Sequence, residues 1–123
     1  MKQAALVFIG GGFGSVIRYF IGKWLNTVEN TFPYGTFIVN VLGSLIIGVI
    51  LGYLIRITPY NENYSLLIAT GFCGGFTTFS AFALENQLFL KHGDYLQFLT
   101  YTLGTIILGI FAVFVGFYVS KLF

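Results

Sequence analysis

Charged side chains are what this sequence has least of. Only 8% of its 123 residues are Asp, Glu, Lys or Arg, whereas soluble domains typically carry about 25%. With 57% hydrophobic residues and a mean hydropathy of +0.89, the composition predicts an integral membrane protein in contact with lipid. The net charge of +2 comes from 6 basic and 4 acidic residues. So few charges provide no basic patch for binding nucleic acid.

Cysteine is nearly as scarce, since Cys73 is the single one. One cysteine excludes an intrachain disulfide and has no partner cysteines for a metal cluster. Glycine, in contrast, occurs 16 times and is spread through apolar segments, as is typical of membrane helices that pack closely. The first apolar run continues past Arg18 to Trp24 without a small-x-small cleavage site. We therefore expect a retained first span rather than a signal peptide.

The apolar residues form four segments, and a membrane-spanning helix needs roughly 20 such residues. The segments cover about 4–25, 35–55, 65–89 and 95–122. The connectors between them contain the turn-forming residues, among them both prolines, and several of the charged residues. The predicted fold class is therefore an all-α membrane protein, with four transmembrane helices in a single domain over residues 1–123.

Four spans put both termini on one side of the membrane, and the basic residues are divided almost evenly between the two sides. The terminal side would carry Lys2, Arg56 and Lys121, and the opposite side Lys23 and Lys91, with Arg18 if it snorkels. Because Lys/Arg bias sets orientation, this near tie predicts insertion in both orientations, unless so few charges make the count uninformative. Four short helices cannot readily enclose a pathway, so we also expect a homodimer.

The third segment contains the stretch GFCGGFTTFSAF, from Gly71 to Phe82, which is poorly suited to a continuous helix. Each glycine costs about 1 kcal/mol relative to alanine in a helix, and a freed carbonyl in hydrocarbon costs several more. We expect the third helix to be broken near its middle, with Gly74 in a backbone conformation that glycine permits. Non-helical backbone at membrane depth persists where it is buried in protein or lines a water-filled path. The stretch is therefore predicted to coordinate something.

Polar groups in the second and first spans recur at helical spacing. Asn40, Ser44, Gly48 and Gly52 follow each other every four residues in the second span. The serine and glycines are typical of close packing, whereas the Asn40 amide is either an interhelical hydrogen-bonding group or a donor in a pore. In the first span, Arg18 either anchors the helix by packing or lines an aqueous vestibule that attracts anions.

The fourth span carries Tyr101, Thr105 and Gly109 in another four-residue row. This row is either a track of hydroxyl groups or an instance of threonine bonding to its own backbone. In the third span, Phe79 and Phe82 share one face. They either fill space or present polarised ring edges to an anion. Glu85 is expected to snorkel or to form a pair near the membrane interface.

Three motifs together resemble one known family. GGGFGSVIRY (10–19), GTFIVNVLGSLIIG (35–48) and GFCGGFTTFSAF (71–82) look like those of the Fluc (CrcB-type) fluoride channels of microbes. The three occur in order on the first three of four spans, and the similarity covers essentially the whole chain.

The resemblance implies a passive fluoride channel in the cell membrane, and not an enzyme. It would be an antiparallel, dual-topology homodimer with two pores, surrounded by membrane lipids. A central structural sodium ion would be held by the backbone carbonyls of Gly74 and Thr77. The residues that match the pore residues of the family are Asn40, Phe79, Phe82 and Ser80, the polar track Tyr101 and Thr105, and Arg18 of the first helix.

The sequence departs from the family pattern in two places, and one other class of protein has a similar size. Ala81 stands where the family commonly has threonine, and Gly109 where a second hydroxyl often follows, which leaves the outer part of the pore path open. The alternative is a proton-coupled exporter of the small multidrug-resistance type. Those exporters resemble one another in a carboxylate within the first span. Residues 1–26 contain no Asp or Glu, which argues against that class.

Overall fold

The chain folds into helices that are long and apolar enough to cross a membrane four times, as the sequence predicted. A computed structural model describes residues 1–27, 31–57 and 59–123, and the described part is entirely helical apart from turns and connectors. The four candidate spans are Lys2–Leu25, Tyr34–Arg56, Glu62–His92 and Tyr95–Ser120. The third span is longer at both ends than the predicted 65–89. Its last helix continues into the expected connector and ends at Gly93, which takes a left-handed conformation (φ 76°).

The first two spans and the last are single helices: α1 (Lys2–Leu25), α2 (Tyr34–Arg56) and α6 (Tyr95–Ser120). The third span is composed of several pieces. These are α3 (Glu62–Tyr64), a π-helix (Ser65–Cys73), α4 (Gly74–Phe76) and α5 (Phe79–His92). Between α4 and α5, Thr77 (φ −81°, ψ 158°) and Thr78 (φ −149°, ψ 119°) have extended dihedral angles.

The helices pack on one another through small residues, and large apolar side chains cover the outside. In the 18-residue apolar windows of α1 and α6, only 11% of the residues are buried within the protomer. Exposed phenylalanines such as Phe8, Phe13 and Phe114 lie on these two helices. A helix that is apolar on all sides is buried or spans a membrane, so these outward faces match a lipid environment.

Close contact between α1 and the third span depends on glycine. A side chain at Gly10 would overlap the Leu67 carbonyl, one at Gly14 the Phe72 carbonyl, and one at Gly75 the backbone of α1. Small residues allow two membrane helices to approach this closely. Packing against α1 therefore leaves no room for a side chain at Gly75. This contact places the interrupted region of the third span beside the first helix.

A second close contact joins α2 and α6, which run in the same direction because consecutive spans alternate. Side chains at Gly48 and Gly116 would overlap the backbone of the opposite helix. Near their C-terminal ends, Gly52 faces Ser120, and the Arg56 guanidinium donates a hydrogen bond to the Ser120 carbonyl (2.5 Å). A cation near a helix C-terminus is also favoured by the helix dipole. The two helices form a paired unit along which polar groups can be aligned.

Candidate functional site

The Asn40 side chain holds the extended segment of the third span in place. Its carbonyl oxygen, Oδ1, accepts a hydrogen bond from the Thr78 N–H (2.8 Å), and its Nδ2 donates to the Thr78 carbonyl (3.1 Å). Of the two alternatives left open by the sequence, the interhelical hydrogen bond is therefore present. A carboxamide has two N–H groups, so one N–H is left over after the bond to Thr78.

Two carbonyls at the interruption lose the donors that a continuous helix would provide. The N–H of Thr78, which would reach the Gly74 carbonyl, donates to Asn40 instead. The N–H of Ala81, which would reach the Thr77 carbonyl, donates to the Thr78 hydroxyl (3.3 Å), the N-cap of α5. Such capping by threonine is a common way to begin a helix. The predicted sodium ligands Gly74 and Thr77 are thus the two residues whose carbonyls are released by these bonds.

The expectation that Gly74 needs a conformation special to glycine is wrong. Its φ of −62° and ψ of −37° are ordinary right-handed helical values. Gly74 is exposed on the protomer, and a Cβ built there would meet no atom within 4 Å. Contacts within the described part of the chain therefore do not require glycine at this position.

Arg18 reaches the same region from α1. Its Nε donates to the Gly75 carbonyl (2.9 Å), and the Ser15 hydroxyl approaches the same oxygen (3.4 Å). Arg18 also lines an open cleft of about 420 Å³ together with Lys23, Thr36, Thr78 and other residues. We call this the outer cleft. The Arg18 side chain therefore contacts the third span and also borders this cleft.

A second cleft, of about 280 Å³, lies between α2, the extended segment, α5 and α6; we call it the central cleft. Its lining residues are Asn40, Ser44, Thr77, Thr78, Phe79, Phe82, Thr105, Ile106 and Gly109. Asn40, Phe79, Phe82 and Thr105 were predicted as pore residues, so the structure brings these four together around one space. Thr78 lines both clefts and therefore marks the point where they approach each other.

Two hydroxyl groups on opposite walls of the central cleft differ in their bonding. Thr105 does not bond to its own backbone: its Oγ1 is buried and has no hydrogen-bond partner among the described residues. Thr100, by comparison, donates to the Leu96 carbonyl in the same helix (2.9 Å). On α2, the Ser44 hydroxyl donates to the Asn40 carbonyl (2.7 Å). Within the described part of the chain, the Thr105 hydroxyl is therefore a donor that no protein group uses.

The two phenylalanines of the central cleft have very different exposure. Phe82 is 9% exposed, whereas Phe79 is 79% exposed on the protomer. Their ring centroids lie 5.8 Å apart with the planes inclined by 46°. Ser80, also predicted at the pore, is exposed next to Phe79, and its hydroxyl lies 3.3 Å from that of Thr78. Phe79 and Ser80 thus face outward at the level of the interruption, while Phe82 faces inward.

Tyr101 lies behind the central cleft rather than in its wall. It is fully buried, and its ring meets the edge of Phe82 at a centroid distance of 5.1 Å. Its hydroxyl donates to Glu85 Oε2 (2.6 Å), and the Thr36 hydroxyl donates to Glu85 Oε1 (2.6 Å). Glu85 therefore pairs with two hydroxyl groups, and its position near the membrane interface stays a prediction. Its carboxylate is held between α2, α5 and α6 by two hydroxyl groups.

Sequence reasoning missed the roles of Thr36 and Thr78. Thr36 lies one turn before Asn40, so the row every four residues on α2 begins with a threonine that contacts Glu85 and continues with an amide that contacts Thr78. Extending the row by one turn would have found Thr36. Thr78 had a signal as well, because threonine is a preferred residue immediately before a helix.

Four membrane-crossing helices around polar clefts define a multi-pass integral membrane protein of the cell membrane. Residues 5–117 match the family model described as CrcB-like protein, Camphor Resistance (CrcB). The chain is 47% identical over 123 residues to a protein of Gloeothece citriformis (98% of each chain), and 44% identical over 122 residues to one of Phocaeicola vulgatus (98% of this chain and all of the other). A protein of Caulobacter sp. is 41% identical over 123 residues, covering 98% of this chain and 96% of its own.

All three relatives are named fluoride-specific ion channel FluC, which makes them transport proteins rather than enzymes. The chain belongs to the CrcB-like family, and the resemblance found from its three motifs is confirmed.

Proposed function

We propose that this protein is a passive, fluoride-selective ion channel of the cell membrane. The observation that carries the proposal is the central cleft, in which uncharged donors converge at the middle of the third span. These groups are the remaining N–H of Asn40, the hydroxyl of Thr105, which has no partner among the described residues, and the rings of Phe79 and Phe82, whose edges carry partial positive charge. The names of the relatives support fluoride as the ion.

Uncharged donors suit the conduction of a small, strongly hydrated anion. A channel has to replace the hydration shell of the ion, yet bind it weakly enough to let it leave. Hydroxyl and amide N–H groups donate hydrogen bonds without a formal charge, and aromatic edges carry partial positive charge. A buried lysine or arginine in their place would hold the anion more tightly. The composition of the central cleft therefore favours passage over retention.

The outer cleft supplies the attraction that brings anions to this site. Arg18 and Lys23 line it together with Glu85, whose carboxylate is engaged by the Thr36 and Tyr101 hydroxyls, and Thr78 connects it with the central cleft. Positive charges at the mouth of a cleft raise the local anion concentration and the rate of entry. We place the path of the anion from Arg18 and Lys23, past Thr78 and Asn40, to the central cleft beside Phe82 and Thr105.

We also propose an antiparallel homodimer. Phe79 is 79% exposed, and Gly74 and Ser80 are exposed beside it, at the middle of a membrane span. Backbone and hydroxyl groups at this depth need cover by protein or a water-filled cavity. A second copy provides this cover, and the nearly even distribution of Lys and Arg between the two ends permits that copy to be inverted. Each dimer would then contain two pores of opposite orientation.

In that dimer, the carbonyls of Gly74 and Thr77 would hold a structural sodium ion. Both oxygens are without their helical donors, and hard cations prefer oxygen ligands. The exposed backbone at Gly74 has open space in front of it. The residues present therefore fit a cation bound by main-chain oxygens, and such an ion would supply charge compensation at the interruption.

One observation keeps coupled transport as a second candidate. Glu85 is a carboxylate inside the span with two hydroxyl partners, and membrane carboxylates often carry protons in transporters. Fluoride efflux from liposomes containing the purified protein separates the two functions. A channel releases fluoride rapidly with equal pH on both sides and retains chloride. Efflux that requires a pH gradient, or that is as fast for chloride, would contradict the proposal.

A further inference from the structure

In the wall of the central cleft, α2 and α6 face each other at Ser44 and Gly109. A Cβ built on Gly109 would lie 3.6 Å from the Ser44 Oγ, which is ordinary van der Waals contact. One to two turns further along α2, Gly48 is pressed against the backbone of α6 and Gly52 against Ser120. Room for a side chain at Gly109 therefore lies beside a hydroxyl group, in contrast to the tight contacts at Gly48 and Gly52.

The Thr105 hydroxyl lies one turn from Gly109 on the same face of α6. Its oxygen is buried and has no partner in residues 1–27, 31–57 and 59–123, and such a group in a native structure normally has a protein, water or ion partner. Both Thr105 and Ser44 line the central cleft. Thr105 provides an unused donor on one wall, and Ser44 provides a second hydroxyl on the other. Because Gly109 has no side chain to separate them, the two hydroxyl groups form a polar pocket.

We propose that Ser44 is a fluoride-contacting residue, and that Gly109 provides the space in which its hydroxyl meets the ion together with that of Thr105. This inference rests on the proposed fluoride channel function. A serine hydroxyl can rotate about its Cβ–Oγ bond, so Ser44 can turn its O–H from the Asn40 carbonyl to the anion. The Asn40 carbonyl keeps its main-chain bond within α2, so the rotation leaves no carbonyl unpaired.

This role differs from the packing role that the sequence favoured for Ser44. The close packing at this level is done by Gly43, where a side chain would overlap that of Thr77. Ser44 itself is only partly buried, and a Cβ at Gly109 would fit beside its hydroxyl without overlap. If Ser44 were needed only for its small size, alanine could replace it. A fluoride contact, in contrast, requires the hydroxyl group.

The experiment removes the hydroxyl group from α2 and introduces one at the facing position of α6. Ser44→Ala removes it, and Gly109→Ser supplies one from α6, where the built Cβ has room. We expect Ser44→Ala to lower the initial rate of fluoride efflux from liposomes roughly tenfold or more, the effect of losing one hydrogen bond to an ion. The double variant should recover most of the lost rate, and Ser44→Thr, which keeps the hydroxyl, should be faster than Ser44→Ala.

Thr100→Ala is the matched control, because it removes a hydroxyl of α6 that bonds only to its own helix. It should leave efflux unchanged. Wild-type efflux from Ser44→Ala, or a double variant that is folded but as slow as Ser44→Ala, would overturn the role of Ser44 and leave the channel function intact. Absence of fluoride efflux from the unmodified protein would overturn the channel function instead.

Discussion

Replacing Asn40 with aspartate tests the amide at the centre of the proposed path. Aspartate has nearly the same shape, and as a carboxylate it can still accept the hydrogen bond from the Thr78 N–H. It cannot donate to the Thr78 carbonyl, which lies 3.1 Å from Asn40 Nδ2. It also places a negative charge in the wall of the central cleft, where the anion must pass.

The expected magnitude follows from Coulomb's law. Two like charges about 4 Å apart repel by about 4 kcal/mol at an effective dielectric constant of 20. A barrier of this height corresponds to roughly a thousandfold slower passage. Asn40→Ser loses contact with Thr78 but adds no charge, so its loss of flux should be smaller than that of Asn40→Asp. The two variants therefore separate the effect of charge from the effect of the lost hydrogen bonds.

Acidic pH should partly restore the aspartate variant. A protonated carboxyl group has one acceptor oxygen and one O–H donor, so it can accept from the Thr78 N–H and donate to the Thr78 carbonyl as the amide does. Flux through Asn40→Asp should consequently rise as pH is lowered, relative to the original protein at the same pH. The assay is fluoride efflux from liposomes, corrected with protein-free liposomes. Asn40→Asp that conducts like the original protein at neutral pH would refute this account of the central cleft.

Three further results are expected from the phenylalanines, the interruption and the topology. Phe82→Ile should suppress fluoride efflux while the dimer persists on gel filtration, because isoleucine keeps bulk without a polarised ring edge; full activity would make Phe82 a packing residue. Gly74→Ala should leave the protomer folded but weaken dimerisation, since its Cβ would project into the space that the second copy and the ion require. Gly12→Ala, which is equally open within the protomer, is its control; equal dimer yields would contradict the proposed interface. Tags at Phe123 should be accessible from both sides of the membrane, and labelling from one side only would contradict dual topology.

The spans and their packing could be predicted because they depend on local composition. Apolar length predicts a membrane helix, and glycines spaced every four residues, such as Gly10 and Gly14, predict a close contact. The contacts observed at these residues involve backbone of the third span. The partner in each contact depends on how the helices are arranged in space, so the spacing alone could not identify it.

Part of the lining of the central cleft could be predicted. Asn40 and Thr105 stand out as polar groups inside apolar spans, and Phe79 and Phe82 as aromatic residues beside the glycine-rich stretch. For Glu85 the only local signal was its distance from the helix end, so its hydrogen-bond partners could not be named from the sequence. In the structure α5 continues to His92, and two hydroxyl groups from other helices hold the carboxylate inward. Its partners Thr36 and Tyr101 are 49 and 16 residues away in sequence, so only the folded arrangement brings them together.

The reversal potential of the purified protein in a planar bilayer tests the central claim most directly. The current through a passive fluoride-selective channel must reverse at the fluoride equilibrium potential. This potential changes by about 59 mV for each tenfold gradient of fluoride. Because the proposed path uses uncharged donors and needs no proton carrier, imposing a pH gradient at fixed fluoride concentrations should not move this value. A reversal potential that follows the pH gradient, or one set by the chloride gradient, would contradict passive fluoride conduction through the central cleft.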